Sequence, residues 1–241
     1  MQNDQEVDDF ATFHRILGRL QSGTWFFRGH GNADWELLPR AGRSQYYLGD
    51  PDATNLRDLG RFRVWRNQAV AYCVLPENDL ECLAVAQHHG LATRLLDWTS
   101  NPLIGLYFAI YEEPGLDGAL YCFSPCCFIT EQHRDLPGEK YLGLYKPRSI
   151  SPRILNQSGA FTYHPYPAKP FMEYPQEFDG VEAVLFRLTI KKERKTNLLR
   201  QLNLYGINHV TLFPDLDGLS RYINWETQGI IEGRHRRSTD E

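Results

Sequence analysis

The sequence predicts an α+β fold, on three observations. Helical periodicities crowd the first half of the chain and strand-like runs the second. No regular alternation of strand and helix signals a doubly wound parallel sheet. At 241 residues, 42% hydrophobic and 13% aromatic, the chain can bury one sizeable core. The expectation is a single domain with N-terminal helices packed on a mixed or antiparallel sheet. Its parts are read as an N-terminal helix in residues 1–23, the domain proper in 24–225 and a charged, flexible tail in 226–241.

Phe10, Phe13, Ile16, Leu17 and Leu20 recur at helical spacing, and Gly23 is read as the stop. Residues 24–28 (TWFFR) read as a short buried strand running into a Gly-His-Gly turn. After a Gly/Ser/Asp-rich loop in 42–52, Leu59, Phe62, Val64, Trp65 and Ala69 mark a helix over 56–74. Asp79 is expected to cap a second helix, 80–89, that Gly90 ends. Residues 94–98 read as a strand. Thr99, Ser100 or Asn101 can cap the helix after it, with Pro102 suited to the first turn. That helix, 103–111, is apolar nearly all round and so belongs in the interior.

A strand is expected at 118–123. Residues 124–152 lose all periodicity, and so long an irregular stretch reads as a mobile lid over a cleft. Strands are expected at 159–163, 181–190 and 209–213, a helix at 196–205, a loop at 164–175, and a last short helix capped by Asp215 or Asp217.

With a formal net charge of −4 the chain as a whole is no polyelectrolyte for nucleic acid, although a local basic groove is compatible with that average. No run approaches the roughly 20 apolar residues of a membrane span. The first ten residues are acidic where a signal peptide is basic. Both features point to a cytoplasmic protein with no membrane partner. Five cysteines suit buried thiols in a reducing compartment. Cys122, Cys126, Cys127 and His133 lie close in sequence, but an adjacent cysteine pair wraps a tetrahedral ion poorly, so no metal is expected.

Three segments could carry chemistry. Arg28 follows Trp25-Phe26-Phe27, where desolvating a guanidinium is costly unless it meets a carboxylate, a phosphate or backbone carbonyls. It either grips a ligand, with Gly29 and Gly31 allowing close backbone approach, or holds a turn shut through Asp34, Asp97 or backbone carbonyls. In the second segment, His88 and His89 diverge by about 100° on a helix and cannot share a metal. One of them could act as an acid or base, or simply close the helix. Arg94 and Asp97 read as a buried pair, and Thr99 and Ser100 either bind an anion at a helix start or cap it. In the third, Arg153, Asn156 and Gln157 precede a strand, where amides suit recognition of a base or ribose, or plain loop hydrogen bonds. No GxSxG elbow, phosphate loop, GxGxxG or HExxH is present.

Taken together, these segments resemble the FRG domain family. The resemblance rests on Phe27-Arg28-Gly29, Trp35, Leu37-Leu38-Pro39-Arg40, Gln87-His88-His89-Gly90-Leu91 and the run from Thr93 through Asp97-Trp98-Thr99 to Pro102-Leu103. Tyr107-Phe108-Ala109, Gln157, Gly159, Phe161 and the stretch from Leu212 to Gly218 extend it, while Ala92 stands where the family usually has proline. Such proteins are associated with bacteria and phages, some in defence or toxin-like settings.

The order Arg28, Thr99-Ser100, Gln157 is also remotely similar to ADP-ribosyltransferases, which set an Arg or His, a Thr/Ser turn and a Glu in that order. That likeness implies an ADP-ribosyltransferase-like fold and NAD as cofactor, with nucleic acid or protein as target. It implies Arg28, Thr99 and Gln157 as catalytic residues. Arg28, Gly29, His89, Arg94, Asp97, Trp98, Thr99, Ser100, Tyr107 and Phe161 would then contact the cofactor. Gln157 departs from the pattern by lacking the negative charge that steadies an oxocarbenium-like ribose. The alternative is a non-catalytic module recognising a nucleotide or a phage component.

Overall fold

An eight-stranded mixed sheet organises the computed structural model, which describes residues 5–20, 24–46, 54–130, 142–148 and 156–239. In chain order the elements are β1 (Gln5–Glu6), α1 (Phe10–Leu17), β2 (Phe26–His30), α2 (Thr54–Ala69), α3 (Asp79–His88), β3 (Leu95–Thr99) and α4 (Pro102–Tyr111). Next come β4 (Gly118–Ser124), β5 (Phe128–Ile129), β6 (Gly143–Tyr145), β7 (Gly159–Tyr163), β8 (Glu177–Phe178), β9 (Val181–Glu182) and β10 (Val184–Ile190). Three helices end the chain: α5 (Lys192–Leu204), α6 (His209–Leu212) and α7 (Leu216–Thr239). The sheet order is β1-β10-β4-β2-β3-β7-β6-β5, and β8 and β9 form a separate hairpin. The outermost pairs, β1 with β10 and β5 with β6, are parallel, and the inner pairs are antiparallel. This is the expected α+β architecture.

Three apolar clusters hold it together. On one face α1, α4 and α5 bury Phe13, Ile16, Tyr107 and Leu198 against Phe27, Leu120 and Leu188 of the sheet. On the other face Phe26, Trp98 and Phe123 pack with Phe171 from the loop before β8. Helices α2 and α3 bring Phe62, Leu80 and Leu83 onto Leu95, Tyr145, Phe161 and Tyr163. Each fully buried Leu, Phe or Tyr of this kind contributes on the order of 1.5–3 kcal/mol of burial free energy. The N-terminal residues join the first cluster directly, since β1 pairs with β10 and Asp9 Oδ1 caps α1 by accepting the Thr12 N–H at 2.7 Å.

Several local expectations change. Helix α1 ends at Leu17, with Gly18 as its cap, ahead of Gly23. Helix α2 ends at Ala69, short of residue 74. The cap of α3 is Asn78, not Asp79: Asn78 Oδ1 accepts the N–H groups of Leu80 and Glu81 at 2.9 and 3.1 Å. His209–Leu212 form a helical turn, with Phe213 as its cap, where a strand over 209–213 was expected. The side chain of Asn208 accepts the Thr211 N–H and the Thr211 hydroxyl accepts the Asn208 N–H, both at 3.1 Å, which closes a capping box that outweighs the β-branched pattern.

At the end of the chain, the last helix is not short: α7 runs from Leu216 to Thr239, into the stretch read as a tail. Asp215 starts it, its Oδ1 accepting the Gly218 N–H at 2.7 Å, and no proline interrupts residues 216–239. Within the stretch read as an irregular lid, β5 and β6 add to the sheet edge, and Leu142, Leu144 and Tyr145 are buried. Residues 131–141 and 149–152 of that stretch lie outside the described residues.

Candidate functional site

The site begins with an imperfection in the sheet. Strand β2 pairs with β4 along its whole length and β3 pairs with β7 along its whole length, but β2 and β3 meet only where Phe27 stands opposite Thr99. Beyond that contact lies a cleft of about 730 Å³, with Arg28, Gly29 and His30 of β2 on one side and Asp97 and Trp98 of β3 on the other. Gln87 and His88 of α3, Phe108 and Glu112 at α4, residues of the 34–44 loop, and Gly159 and Phe161 of β7 complete its walls. A volume of this size suits a nucleotide-sized ligand.

Arg28 is held from two directions. Its Nε donates to His30 Nε2 at 2.9 Å, and its Nη1 donates to the Asp97 carbonyl at 2.8 Å. Nη1 also lies 3.6 Å from Asp97 Oδ2, but that carboxylate is 62% exposed, so the ion pair contributes about 1 kcal/mol or less. The remaining guanidinium nitrogen, Nη2, has no protein partner among the described residues. The strands thus anchor the arginine, through the imidazole of His30 and the backbone carbonyl of Asp97.

His30 takes part as a neutral acceptor. Because Nε2 accepts from Arg28, the proton sits on Nδ1, 3.2 Å from the Trp35 carbonyl to which it donates. Burial and the neighbouring Arg28 charge push its pKa down to about 3. Its ring also packs edge-on against Tyr121 and Trp35. Across the gap, Asp97 is oriented by a second chain. The Thr93 hydroxyl donates to Gln87 Oε1, which turns the amide so that Nε2 donates to Asp97 Oδ1 at 2.7 Å.

Thr99 is buried, and its hydroxyl donates to the Gln157 carbonyl at 2.7 Å while accepting the Asn101 N–H at 3.1 Å. Asn101, rather than Thr99 or Ser100, caps α4. The Gln157 amide nitrogen donates to the Leu212 carbonyl at 3.2 Å, tying the cleft wall to α6. The next residue, Ser158, has φ +48°, a left-handed conformation that costs a residue with a Cβ about 1 kcal/mol or more.

Of the residues read from sequence, Arg28, Gly29, Asp97, Trp98, Thr99, Gln157 and Phe161 come together around this cleft. Four do not. Arg94 is buried on α2, where its Nε and Nη2 meet Asp58 Oδ2 and Oδ1 at 2.8 and 2.7 Å; its partner is Asp58, not Asp97. Its Nη1 donates to the Tyr163 hydroxyl and the Pro165 carbonyl. Tyr107 lies in the core behind the sheet, its hydroxyl 2.8 Å from His209 Nδ1. Ser100 is exposed beside Ser158, and His89 is the exposed cap of α3, while its neighbour His88 faces the cleft. Arg153 lies outside the described residues.

The glycines have a different reason from the one expected. A Cβ on Gly29 would sit 2.2 Å from backbone atoms of Ala109 and Gly105, and one on Gly31 2.8 Å from the Glu112 Cβ. They let α4 approach the sheet, not a ligand.

Sequence reasoning missed His30, Trp35, Arg43, Gln87 and Phe108 as cleft residues. His30 was legible in principle, because a strand prolonged by two residues puts positions 28 and 30 on one face. Cys126 and Cys127 are half-buried and Cys122 is buried. Burial raises all three thiols, which keeps them protonated and weak as nucleophiles, and His133 lies outside the described residues.

Comparison with known families and structures bears on the same cleft. The family model of the FRG domain matches residues 23–117, from just before β2 to just before β4. Arg28, His30, Gln87, Asp97 and Thr99 fall inside that match, whereas Gln157 and Phe161 lie beyond it. No curated protein and no solved structure matches the chain.

Proposed function

Since the chain carries an FRG domain over residues 23–117, we propose that the cleft between β2 and β3 binds an anionic nucleotide, NAD, and directs ADP-ribosyl transfer to a nucleic-acid or protein target. The observation that carries this reading is Arg28, fixed at Nε and Nη1 and left with Nη2 for a ligand. The Asp97 carboxylate, largely exposed and 3.6 Å from Nη1, holds the guanidinium only weakly, so a phosphate offering two oxygens to the fork displaces it. Arg43 adds a second cation to the cleft wall, and Phe108, Phe161 and Trp35 offer apolar faces for a base or nicotinamide ring. The residues thus fit the group in size, charge and surface.

NAD bound here would supply an ADP-ribosyl unit on a nicotinamide leaving group. The protein's part is to grip the phosphates with Arg28 and to keep Thr99 and Gln157 rigid at the cleft wall. It also presents a carboxylate to the positive charge that grows on the ribose. Gln157 cannot do the last, being neutral and bonded to Leu212. Asp97, aimed by Gln87, stands nearest to that role. The defence or toxin setting follows from the family resemblance alone.

A second reading is favoured by that same amide: with Gln157 in place of an acid, the cleft binds its nucleotide as a sensor without turnover. Calorimetry with NAD and a non-hydrolysable analogue, together with a nicotinamide-release assay, separates the two. Under the transferase reading Arg28→Ala loses binding, and Asp97→Asn keeps binding but loses release. Under the sensor reading the wild type binds and releases nothing. Silence with both ligands at millimolar concentration removes the nucleotide from either account.

A further inference from the structure

Arginine is concentrated beside the cleft. Residues 40–66 hold Arg40, Arg43, Arg57, Arg61, Arg63 and Arg66 with no lysine, against Asp50, Asp52 and Asp58, in a chain of net charge −4. Asp58 is buried on Arg94, which takes its charge away from the surface, and Arg66 pairs with Asp79. Asp50 and Asp52 lie outside the described residues.

Tyr46 joins two of the remaining arginines, Arg40 and Arg61. The guanidinium carbons of Arg40 and Arg61 stand 5.7 and 5.3 Å from its ring centroid. Arg40 Nε donates to the Tyr46 hydroxyl at 2.9 Å and Arg61 Nη1 to the Tyr46 carbonyl at 3.3 Å. Arg61 Nε is buried without a hydrogen-bond partner among the described residues. Arg57 is exposed one helical turn before Arg61, and Arg43, also exposed, forms part of the cleft wall. At the cleft rim Trp35 leaves 42% of its surface in solvent.

We propose that this surface binds single-stranded nucleic acid. Its phosphates would lie on Arg40, Arg43, Arg57 and Arg61 and its bases against Tyr46 and Trp35, so that a strand crossing it reaches the cleft. Arginine without lysine suits phosphate, whose oxygens match the planar fork. Aromatic faces among the cations suit unpaired bases, which stack without regard to sequence, and an acidic protein offers nothing to stack on them. The binding claim stands apart from the proposed reaction, because it needs neither NAD nor turnover. Only the direction of the strand, toward the cleft, rests on that reading.

The test is fluorescence anisotropy with labelled single-stranded DNA and RNA oligonucleotides of mixed sequence, in the absence of NAD. Four neutralised phosphates predict a loss of about 50-fold in affinity between about 50 and about 200 mM salt. Arg43→Ala and Arg57→Ala, each at an exposed arginine whose side chain has no hydrogen bond or ion pair among the described residues, should each lower the log–log salt slope by about 0.7. Arg194→Ala on α5, whose partner is Asp8 at 3.7 Å, controls for net charge and should change neither affinity nor slope. Three results overturn the proposal: no binding of either oligonucleotide, equal binding of polyglutamate, or salt slopes that Arg43→Ala and Arg57→Ala leave unchanged.

Discussion

Arg28 donates to His30 across 2.9 Å, and this bond fixes the state of both residues. The arginine cannot turn without stranding its Nε. The imidazole must stay neutral with its proton on Nδ1, because a protonated ring would face the guanidinium as a like charge. The two lie on one face of β2, so the strand itself sets the donor that points into the cleft.

Replacing His30 tests that arrangement. His30→Phe removes the acceptor for Nε and should destabilise the fold by about 1–3 kcal/mol in urea denaturation, with weaker nucleotide binding as Arg28 loosens. His30→Gln, whose side-chain oxygen can accept, should recover part of both. Binding by His30→Phe at wild-type strength would show that His30 does not position Arg28.

Acid should destabilise the protein well before its carboxylates titrate. Burial, with nearby Arg28, pushes both His30 and His164 down to about 3. In the unfolded chain they titrate near 6.5, so between about 6.5 and 3 the unfolded state binds protons that the native state refuses. The stability they contribute is complete above about 6.5 and is lost as pH falls toward 3, with about 2 kcal/mol from each gone by pH ~5. Denaturation midpoints across that range measure it, and His164→Asn should flatten the slope. A flat profile from pH ~7 to ~5 in the wild type would contradict the burial argument.

The Asp58–Arg94 pair ties α2 to β3 through two short bonds in a buried site. Asp58→Ala leaves a guanidinium buried without its counter-charge and should cost about 3–5 kcal/mol. Asp58→Ala combined with Arg94→Met should cost less than Asp58→Ala alone, since no unpaired charge remains. Additive losses in a double-mutant cycle would deny the coupling.

Gly29 sits where α4 presses on the sheet, and the atoms a Cβ would meet are backbone. Gly29→Ala must push the helix away, so a loss of about 1–3 kcal/mol or a failure to fold is expected. Gly60→Ala, with nothing within 4 Å of the added Cβ, should be neutral or stabilising because alanine favours helix. Equal stability of Gly29→Ala and wild type in thermal melts would rule out the close approach.

Much of the fold was written locally. The apolar helix α4 with Pro102 in its first turn, the strand β7, and the dense run from Thr93 to Leu103 each carry their own signal, because periodicity and caps act within a few residues. Arg28, Asp97 and Thr99 were legible as residues to be grouped for the same reason, and they line one cleft: a cation, an acid and a hydroxyl stand at strand ends whose neighbours demand burial.

Partnerships were not legible. Arg94 looked bound to Asp97, three residues on, but its bonds reach Asp58, 36 residues away, because α2 folds over the start of β3. His209 and its neighbours alternate like a strand, and only the capping box formed by Asn208 and Thr211 makes them a helix.

The sequence by itself determined that Arg28 follows a buried aromatic run and therefore needs partners, since composition and order state the desolvation problem without solving it. Tertiary structure alone decided who those partners are. The parting of β2 and β3 after Phe27 and Thr99 leaves the Asp97 carbonyl within reach of Nη1 and Nη2 without a partner among the described residues. Where two strands separate depends on helices packed far along the chain, and that long-range balance leaves no mark at residue 28.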